Sequence, residues 1–455
     1  MRDVVGLASE PVPYDHPTGL GHTALLDSSV PPPPLVDFLY DAAIVGLGYV
    51  GLPTALTFHS NGFRVAGVDI SAPRLQSIRA GEVDALASDN ARLAKALTDA
   101  DGFTLTGDPT ILSQAEAVLV CVPTPIDEHL LPDLKALRAA CASVVRLAQP
   151  GQVLMLTSTT YVGCTYDLLV RPLEERGLRV GRDVFVAFAP ERIDPGNAAF
   201  AQYEVPRVVG GVTPMCTQRA IAALRGCSVE LYPVRDARTA EMTKLYENTF
   251  RAVNISLANE FADISATLGL DITEVIDAAA TKPFGFMPFY PGAGIGGHCI
   301  PCDPHYLLWQ LRAARVSAPL IETAMTSVAL RPGRVTRRAI ELLGRRGMSV
   351  EGAQVLVLGV AYKPGVADVR ESPALEIMQR LAAAGAQVSF LDDRVSTVDV
   401  PGQVIERVTE PRDRIWDLVV VQCVHPQTDL EWLRRQPAVL DTTYRLNDLP
   451  GRELP

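Results

Sequence analysis

Short apolar runs alternate with amphipathic stretches along most of this chain. A first series begins at Tyr40 and contains AAIVGL, FRVAGVDI, EAVLVCVP, QVLMLTST and VFVAFAP, with a helix predicted from Val50 after the first run. A second series begins at Gln354 with VLVLGVAY and continues through a predicted helix over 372–384 to QVSFLDD, LVVVQCV and AVLD. Strands that alternate with helices form parallel sheets. The pattern therefore predicts an α/β protein with two Rossmann-like, doubly wound parallel-sheet domains.

A long segment without proline separates the two series. Residues 236–268 place apolar side chains mostly at helical spacing, and Gly269 ends the run. The positions that repeat are Met242, Leu245, Thr249, Phe250, Val253, Leu257, Phe261, Ile264 and Leu268. At about 1.5 Å per residue the helix would exceed roughly 40 Å, which is longer than a small domain needs. We expect it to join the two halves and to help form an interface between subunits.

Composition narrows the classes of protein and of partner. The chain has 455 residues, 48% hydrophobic and 20% charged, which is enough for two or three globular domains. Its net charge of −11 argues against nucleic acid or an anionic membrane as a partner. Eight cysteines without paired spacing favour reduced thiols. With neither a signal peptide nor a membrane-spanning run in the sequence, we expect a cytoplasmic protein.

The first strand leads into a glycine-rich turn, Gly46-Leu-Gly48-Tyr-Val-Gly51. This spacing between a strand and a helix is the dinucleotide-binding pattern. Gly46 would make the tight turn, Gly48 would let the backbone reach a pyrophosphate, and Gly51 would allow close packing of helix on strand. The helix N-terminus at Tyr49 and Val50 would face the phosphates.

The ends of later strands carry further candidate cofactor contacts. Asp69 ends the next strand, where its carboxylate would accept hydrogen bonds from the adenine ribose and repel the extra phosphate of NADP, so NAD is the expected cofactor. Arg74 could instead accommodate that phosphate or stack on the adenine. Thr124 and Ser158 follow two more strands of the same sheet, at the edge where open α/β sheets bind ligands.

Residues 291–306, PGAGIGGHCIPCDPHY, contain two cysteines, two histidines and an aspartate in a segment that prolines keep from being helical. We call this segment the cysteine loop. Asp303 followed by Pro304 predicts the start of a helix, with Asp303 as its N-cap and the helix near 304–314. The helix N-terminus, and His298 if protonated, would favour the thiolate of Cys299. Cys299 is therefore a candidate nucleophile.

Other interpretations of this segment remain open on these residues alone. Cys299 and Cys302 have the CxxC spacing of a zinc site, with His298, Asp303 and His305 beside them, but no second CxxC pair exists. The pair could also be a thioredoxin-like dithiol, although it does not follow a first strand. A buried, inert cysteine is the third alternative.

Seven collinear motifs from Tyr40 onward resemble the UDP-glucose/GDP-mannose dehydrogenase family. They are GLGYVGLP, VPTP, STT, APERIDPGN, TKLYENTFRAVN, YPGAGIGGHCIPCDPHYL and GVAYKPGVADVRESPALE. The resemblance implies an NAD-dependent enzyme that oxidises the C6 alcohol of a nucleotide sugar to a carboxylate and uses two NAD per turnover. It also implies a homodimer or a higher homo-oligomer and no metal.

The resemblance assigns roles to the catalytic candidates. Cys299 would hold the aldehyde as a thiohemiacetal and then as a thioester. Lys244 and Asn248, which share a helix face, would stabilise the oxyanion. Asp303 would position or deprotonate a water molecule, with Thr159 beside it. Glu191 is the candidate base for thioester hydrolysis, although the place of a second family glutamate is taken by Pro195.

Further residues are implied to bind the substrate or the cofactor. The candidates for the UDP-sugar, besides Lys244 and Asn248, are Arg192, Ile193, Arg251, Gly296, Tyr362 and Lys363. Arg370 would contact the NAD phosphates. The implied division of the chain is an extension over 1–38, an NAD-binding domain over 39–235, a helical dimerisation region with the cysteine loop over 236–335, and a UDP-sugar-binding domain over 336–455.

Two departures from the glucose-type members bear on the substrate. His298 replaces a serine-like residue before the cysteine, and Cys302 replaces a lysine three positions after it. The resemblance is closest to the branch that acts on UDP-N-acetylhexosamines, with UDP-N-acetylglucosamine expected first and UDP-N-acetylmannosamine or UDP-glucose as alternatives. An NAD-binding redox sensor using Cys299 and Cys302, or a hydroxy-acid dehydrogenase, are the other hypotheses.

Overall fold

The computed structural model describes residues 37–83, 87–192, 204–400 and 403–455. The proline-rich extension lies outside these ranges except for its last two residues, and Ile193 lies outside them as well. Within the described residues the two series of strands form two separate sheets that are wholly or mainly parallel, as the sequence predicts.

The first sheet has eight strands in the order β3-β2-β1-β4-β5-β6-β7-β8. They are β1 (Tyr40–Val45), β2 (Val65–Val68), β3 (Phe103–Thr106), β4 (Ala115–Val120), β5 (Val153–Leu156), β6 (Phe185–Phe188), β7 (Arg207–Gly211) and β8 (Leu231–Pro233). Neighbouring strands are parallel except for β6 and β7. The first six follow the order of a dinucleotide-binding fold, whose ligand crevice opens between β1 and β4.

Helices cover both faces of this sheet. They are α1 (Gly51–Ser60), α2 (Ala72–Ala80), α3 (Ala87–Leu97), α4 (Lys135–Leu147), α5 (Arg171–Glu175) and α6 (Pro214–Leu224). Alternate residues of the buried strands point to opposite faces, so that Val118 joins one hydrophobic core and Leu119 the other. The α1 helix begins one residue later than predicted, because Val50 is its N-cap.

Four helices connect the sheets: α7 (Ala237–Leu268), α8 (Ile272–Ala280), α9 (Asp303–Ala314) and α10 (Pro319–Arg345). Asp236 caps α7 by accepting a 2.8 Å hydrogen bond from the Thr239 amide, and Gly269 ends it with a φ of 70°. The long helix predicted over 236–268 is therefore confirmed. Leu245 of α7 and Tyr306 of α9 enter the core on one face of the first sheet, which fixes both helices against its ligand-binding edge.

The second sheet has five parallel strands in the order β10-β9-β13-β14-β15. Its part of the chain contains β9 (Gln354–Leu358), α11 (Pro373–Ala383), β10 (Gln387–Leu391), β11 (Thr397–Val400), β12 (Gln403–Glu406), β13 (Leu418–Val421), β14 (Val439–Asp441) and β15 (Arg452–Glu453). The β11 and β12 strands form a separate antiparallel pair. A turn after β9 and a second crevice between β9 and β13 therefore repeat the arrangement of the first domain.

Candidate active site

The glycine-rich turn forms an open cradle at the end of β1. Gly46 has a φ of 89°, and a Cβ on Gly51 would lie 1.8 Å from the Gly46 oxygen, so α1 can pack on the turn only with glycine there. No atom lies within 4 Å of the Cβ position of Gly48. Within the described residues no side chain caps the N-terminus of α1, and the positive end of a helix attracts an anion. The turn fits a pyrophosphate.

Asp69 lies at the end of β2, beside this turn. Its carboxylate accepts a hydrogen bond of 2.8 Å from the Leu47 amide and another of 2.8 Å from the Ser71 amide. A carboxylate has further lone pairs for ribose hydroxyls. The side chain of Arg74 donates to the Leu47 carbonyl at 2.9 Å, so in this structure it supports the turn from the opposite side.

Polar side chains follow the neighbouring strands β4 and β5. Thr124 and Ser158 are both buried, and the Ser158 hydroxyl donates to the Val122 carbonyl at 2.7 Å. Thr159, the next residue, is partly buried. These residues lie at the carboxyl edge of the strands next to β1, where a bound dinucleotide would reach.

Helices α7 and α9 bring three predicted catalytic residues together. The Asn248 amide donates a hydrogen bond to Asp303, and the charge of Lys244 also acts on that carboxylate. Asp303 is only 3% exposed, and its burial raises its pKa to about 6 in spite of Lys244 and Asn248, which both lower it. A buried carboxyl with a pKa in this range is suited to act as a base near neutral pH.

The predicted capping role of Asp303 is wrong. Asp303 is the first residue of α9 rather than its N-cap, the position taken by Cys302, and no side chain caps this helix. The Asp303 carboxylate turns away to Asn248 on the neighbouring helix. Its contacts therefore belong to the site.

Cys299 is the exposed cysteine among the eight in the described residues. The charges of Asp303, Lys244, Arg370 and Arg251 all act on its thiol. Burial of the sulfur by surrounding protein, followed by the charge of Asp303, raises its pKa above the ordinary value, and the three cations only partly offset this. The sequence predicted a lowered pKa, so this expectation is corrected.

His298 does not supply the positive charge that the sequence analysis considered. Burial and the nearby Arg370 lower its pKa, so the ring is neutral near pH 7. Its Nε2 atom is buried without a hydrogen-bond partner. Cys302 is also buried, and burial together with Asp303 raises its pKa to about 12.

The second domain packs directly on the cysteine loop. Gly297 donates from its amide to the Arg370 carbonyl at 2.9 Å, and a Cβ on Gly296 would lie 2.6 Å from that of Tyr362. The Arg370 guanidinium lies 4.6 Å from the ring centre of Tyr49 in the glycine-rich turn. Both domains and the cysteine loop therefore meet at one place.

Glu191 and Arg192 follow β6 and are tied to other residues. Arg207, which is buried, lies 3.5 Å from the Glu191 carboxylate. Arg192 forms an ion pair with Glu247, which precedes Asn248 on α7. Arg192 is thus held close to α7, while the Glu191 carboxylate already has a cationic partner.

Sequence reasoning missed two residues that hold the turn after the STT segment (158–160) in place. The buried Glu241 carboxylate accepts from the amides of Gly163 and Thr165 and from the Thr165 hydroxyl. Gln310 of α9 makes a pair of hydrogen bonds with the backbone of Val162. A glutamate three residues before Lys244, on the same helix face, was the available signal.

Neither a metal cluster nor a membrane-spanning helix is found in the described part of the chain. Across these residues no group of three or more His, Cys, Asp and Glu side chains is arranged to hold a metal ion. No helix there is long and apolar enough to cross a bilayer.

The glycine-rich turn is the cradle of a dinucleotide-binding fold, and comparisons with known proteins show the family. Three domain models of one family match this chain: the NAD binding domain at 41–225, the central domain at 238–328 and the UDP binding domain at 356–447. The chain belongs to the UDP-glucose/GDP-mannose dehydrogenase family. It is an NAD-dependent nucleotide-sugar dehydrogenase.

Its relatives differ in the sugars that their names give. It is 33% identical to a UDP-N-acetyl-D-glucosamine 6-dehydrogenase from Pseudomonas aeruginosa, covering 85% of this chain and 90% of that one. It is 35% identical to an NDP-N-acetyl-D-galactosaminuronic acid dehydrogenase from Ralstonia solanacearum, covering 74% and 79%. The solved UDP-D-ManNAc dehydrogenase from Pyrococcus horikoshii superposes with a TM-score of 0.82 at 30% identity, covering 91% and 98%.

Proposed function

We propose that this protein oxidises the C6 alcohol of a UDP-N-acetylhexosamine, with UDP-N-acetylglucosamine as the first candidate, to the uronic acid in a four-electron reaction. The observation that carries the proposal is the position of Cys299, an exposed residue whose thiol lies within the field of Asp303 and Lys244, at the point where both domains meet. UDP-N-acetylmannosamine is the second candidate, because a relative named for it has a closely similar fold.

The first domain would hold NAD and the second the nucleotide. Gly46, Gly48, Gly51 and the α1 N-terminus, with Tyr49 and Val50, would hold the pyrophosphate, and Asp69 the ribose. Thr124, Ser158 and Thr159 would contact the rest of the cofactor, and Arg370 its phosphates. When bound, NAD supplies the hydride acceptor for both oxidation steps. The proposal also divides the chain after residues 38, 235 and 335 into an extension, an NAD-binding domain, a helical dimerisation region and a UDP-sugar-binding domain.

The chain's own residues would carry out the remaining chemistry. A water molecule held by Asp303 and Thr159 takes the C6 hydroxyl proton as the alcohol becomes an aldehyde. The Cys299 sulfur then bonds to that aldehyde carbon, and the thiol proton passes to the site base. Lys244 and Asn248 stabilise the resulting oxyanion. After the second oxidation, water displaces the Cys299 thiol from the thioester, which leaves the carboxylate product.

The remaining candidates would hold the nucleotide sugar. Arg251 lies on α7 seven residues after Lys244, so it lies on the same side of the helix and can reach a diphosphate. Tyr362 and Lys363 extend the pocket from the second domain, and Gly296 lets the sugar approach the backbone. Arg192 would line the sugar pocket, together with Ile193, which lies outside the described residues.

The test is a substrate panel under saturating NAD. We expect two NADH per UDP-N-acetylglucosamine consumed, and Cys299→Ser should lose this turnover while still binding NAD. Faster turnover of UDP-N-acetylmannosamine than of UDP-N-acetylglucosamine would move the assignment to the second candidate. Turnover of none of the UDP-hexosamines would overturn the proposal, and full turnover of the UDP-sugar by Cys299→Ser would contradict the covalent role of Cys299.

We also propose a cytoplasmic homodimer, formed through α7. The buried side of α7 is mainly small, with Ala240, Ala252 and Ala262 among its residues, whereas seven of its large apolar side chains are exposed. They are Met242, Tyr246, Phe250, Leu257, Phe261, Ile264 and Leu268, each between 41% and 67% exposed. A second copy would cover this stripe. Sedimentation should give a dimer that Phe261→Asp converts to monomer, and a monomeric, fully active wild-type protein would contradict it.

A further inference from the structure

A buried acid and a buried histidine lie side by side in the second domain. Asp392 follows β10 and His425 follows β13, and they are 1% and 4% exposed. The His425 Nε2 atom is 3.0 Å from one Asp392 oxygen. The amides of Arg394 and Val395 donate to that same oxygen. Neither residue belongs to the machinery proposed above.

The same turn is used differently in the two domains. In the first, the Leu47 amide donates to Asp69 at 2.8 Å, and Asp69 remains partly exposed. In the second, the Val360 amide donates to the other oxygen of Asp392 at 2.8 Å. The preceding glycines, Gly46 and Gly359, both have positive φ, 89° and 80°. His425 covers Asp392, so this acid supports protein rather than a ribose.

The hydrogen bonds define the protonation of His425. Its Nδ1 atom accepts from the Gly365 amide at 3.0 Å. A nitrogen that accepts cannot carry a hydrogen, so the ring hydrogen is on Nε2, from which it is donated to Asp392. His425 therefore links Gly365 to Asp392, which also accepts from the amides of Val360 and Ala361.

These bonds fix the two ends of a short segment. Val360 and Ala361 are held at one end and Gly365 at the other, and Tyr362 and Lys363 lie between them. Tyr362 packs against Gly296 and Gly297, two or three residues before Cys299. A shift of 360–365 would therefore move the wall of the cleft that faces the cysteine loop.

We propose that Asp392 and His425 are positioning residues that hold 360–365 in the shape needed to bind the nucleoside diphosphate part of the substrate. The inference rests on the proposed function, since it takes Tyr362 and Lys363 as substrate contacts. His425 acts through the Gly365 amide and does not touch the substrate.

Two substitutions, His425→Asn and His425→Gln, can each retain one of the two hydrogen bonds of the His425 ring. In His425→Asn the amide oxygen can take the place of Nδ1 and accept from Gly365. In His425→Gln the amide nitrogen can take the place of Nε2 and donate to Asp392, which leaves the Gly365 amide without an acceptor. Thr428→Val is the matched control, because it removes only an exposed hydrogen bond to Asp393 nearby.

The measurement is calorimetric titration of the full chain with UDP and, separately, with NAD. We expect His425→Gln to weaken UDP binding about tenfold or more, because the partly buried Gly365 amide is left unpaired and 360–365 loses its anchor. His425→Asn and Thr428→Val should stay within about threefold, and NAD affinity should change in none. UDP affinities that are equal in the Asn and Gln variants, or a wild-type chain that does not bind UDP, would overturn the inference.

Hydrogen exchange covers the case in which His425→Gln folds poorly. Peptides that span 359–371 should exchange faster in His425→Gln than in His425→Asn, while peptides from β9 stay protected in both. Loss of protection throughout the second domain in both variants would mean a purely structural role and would overturn the proposal. Both measurements are independent of turnover, so failure of the proposed oxidation would be recognised separately.

Discussion

Asp303 governs how the proposed site responds to pH. Burial raises its pKa from 3.8 to about 6, and a carboxyl acts as a base only when it has lost its proton. We expect kcat to fall as the pH drops below about 6. In Asp303→Asn this acid limb should disappear and kcat should fall by roughly 10² to 10⁴. Profiles of kcat between pH 5 and pH 8 provide the check, and Asp101→Asn, at an exposed turn, is the control.

The same pKa makes a prediction about stability with the opposite trend. The folded state holds the Asp303 proton more tightly than the unfolded state does. The contribution of Asp303 to the free energy of unfolding is therefore greatest below pH 3.8 and decreases as the pH rises towards 6. The loss is about 3 kcal/mol for a shift of this size. Asp303→Asn should flatten this part of the stability curve. Urea denaturation at several pH values gives this dependence. If the carboxyl were not buried, the free energy of unfolding would depend on pH in the same way in Asp303→Asn and in the wild type.

Reaction of Cys299 with iodoacetamide reports the charges around it. Its raised pKa predicts slow alkylation at pH 7 and faster alkylation as the pH increases. Removing the negative charge in Asp303→Asn should speed the reaction at neutral pH, and removing the positive charge in Lys244→Met should slow it. Mass spectrometry of the Cys299 peptide gives the rates. Identical rates in both variants would contradict this account of the thiol.

The sequence supplies candidate site residues through their spacing, but it could not predict how they ionise. The spacing of Cys299 from Asp303 and of Lys244 from Asn248 is visible in the sequence. The pKa of Asp303 depends on how α7, α9 and the cysteine loop exclude water from it, which is a property of the packed structure. The expectation for Cys299 considered a helix N-terminus and His298, while burial and Asp303 determine the direction of the shift.

At the scale of helices, continuous patterns were predictable and interrupted ones were not. The α7 helix has no proline and ends at a glycine, and both features are local. The α10 helix spans 27 residues although Pro332 lies inside it and Gly333 follows. Those two residues are typical breaks in a helical pattern. Pro332 is buried in α10 beside Gly294 of the cysteine loop, so tertiary packing compensates for the missing backbone hydrogen bond.

Glu241 links α7 to the turn that follows the STT segment. Its carboxylate serves three donors of Gly163 and Thr165, and it is fully buried. Glu241→Ala should cost about 3 kcal/mol, because buried donors are left without acceptors. Glu241→Gln should cost less, since one amide oxygen can still accept from Thr165. Chemical denaturation of both variants tests this, and equal losses would mean that the hydrogen bonds contribute little.

At the scale of the whole molecule, different parts of the chain hold the cysteine loop at two points. Near its start, the Gly292 amide donates to Asn259 of α7, and its carbonyl accepts from Arg331 of α10. Near Cys299, the Gly297 amide donates to the Arg370 carbonyl of the second domain. The position of the Cys299 thiol therefore depends on the correct placement of both domains. Sequence motifs name these residues but do not give the contacts between distant segments.

Arg331 of α10 contacts α7, the cysteine loop and the second domain. Its neighbour Arg334 provides a matched comparison. Arg331 is 2% exposed and contacts Asp263, the Tyr444 hydroxyl and the Gly292 carbonyl, whereas the Arg334 side chain is 46% exposed and contacts the same Asp263. Arg331→Met should lower the free energy of unfolding by about 3 kcal/mol, because it removes a buried, hydrogen-bonded charge. Arg334→Met should cost less than about 1 kcal/mol.

The two variants should also differ in activity. Loss of Arg331 releases Gly292 at one end of the cysteine loop and Tyr444 in the second domain, so kcat should fall in Arg331→Met below the temperature at which it unfolds. Arg334→Met should keep wild-type kcat. Steady-state kinetics at 25 °C, combined with urea denaturation of the same preparations, separate the two effects. Wild-type kcat in a folded but destabilised Arg331→Met would show that the hydrogen bond from Arg331 to the Gly292 carbonyl contributes to stability alone.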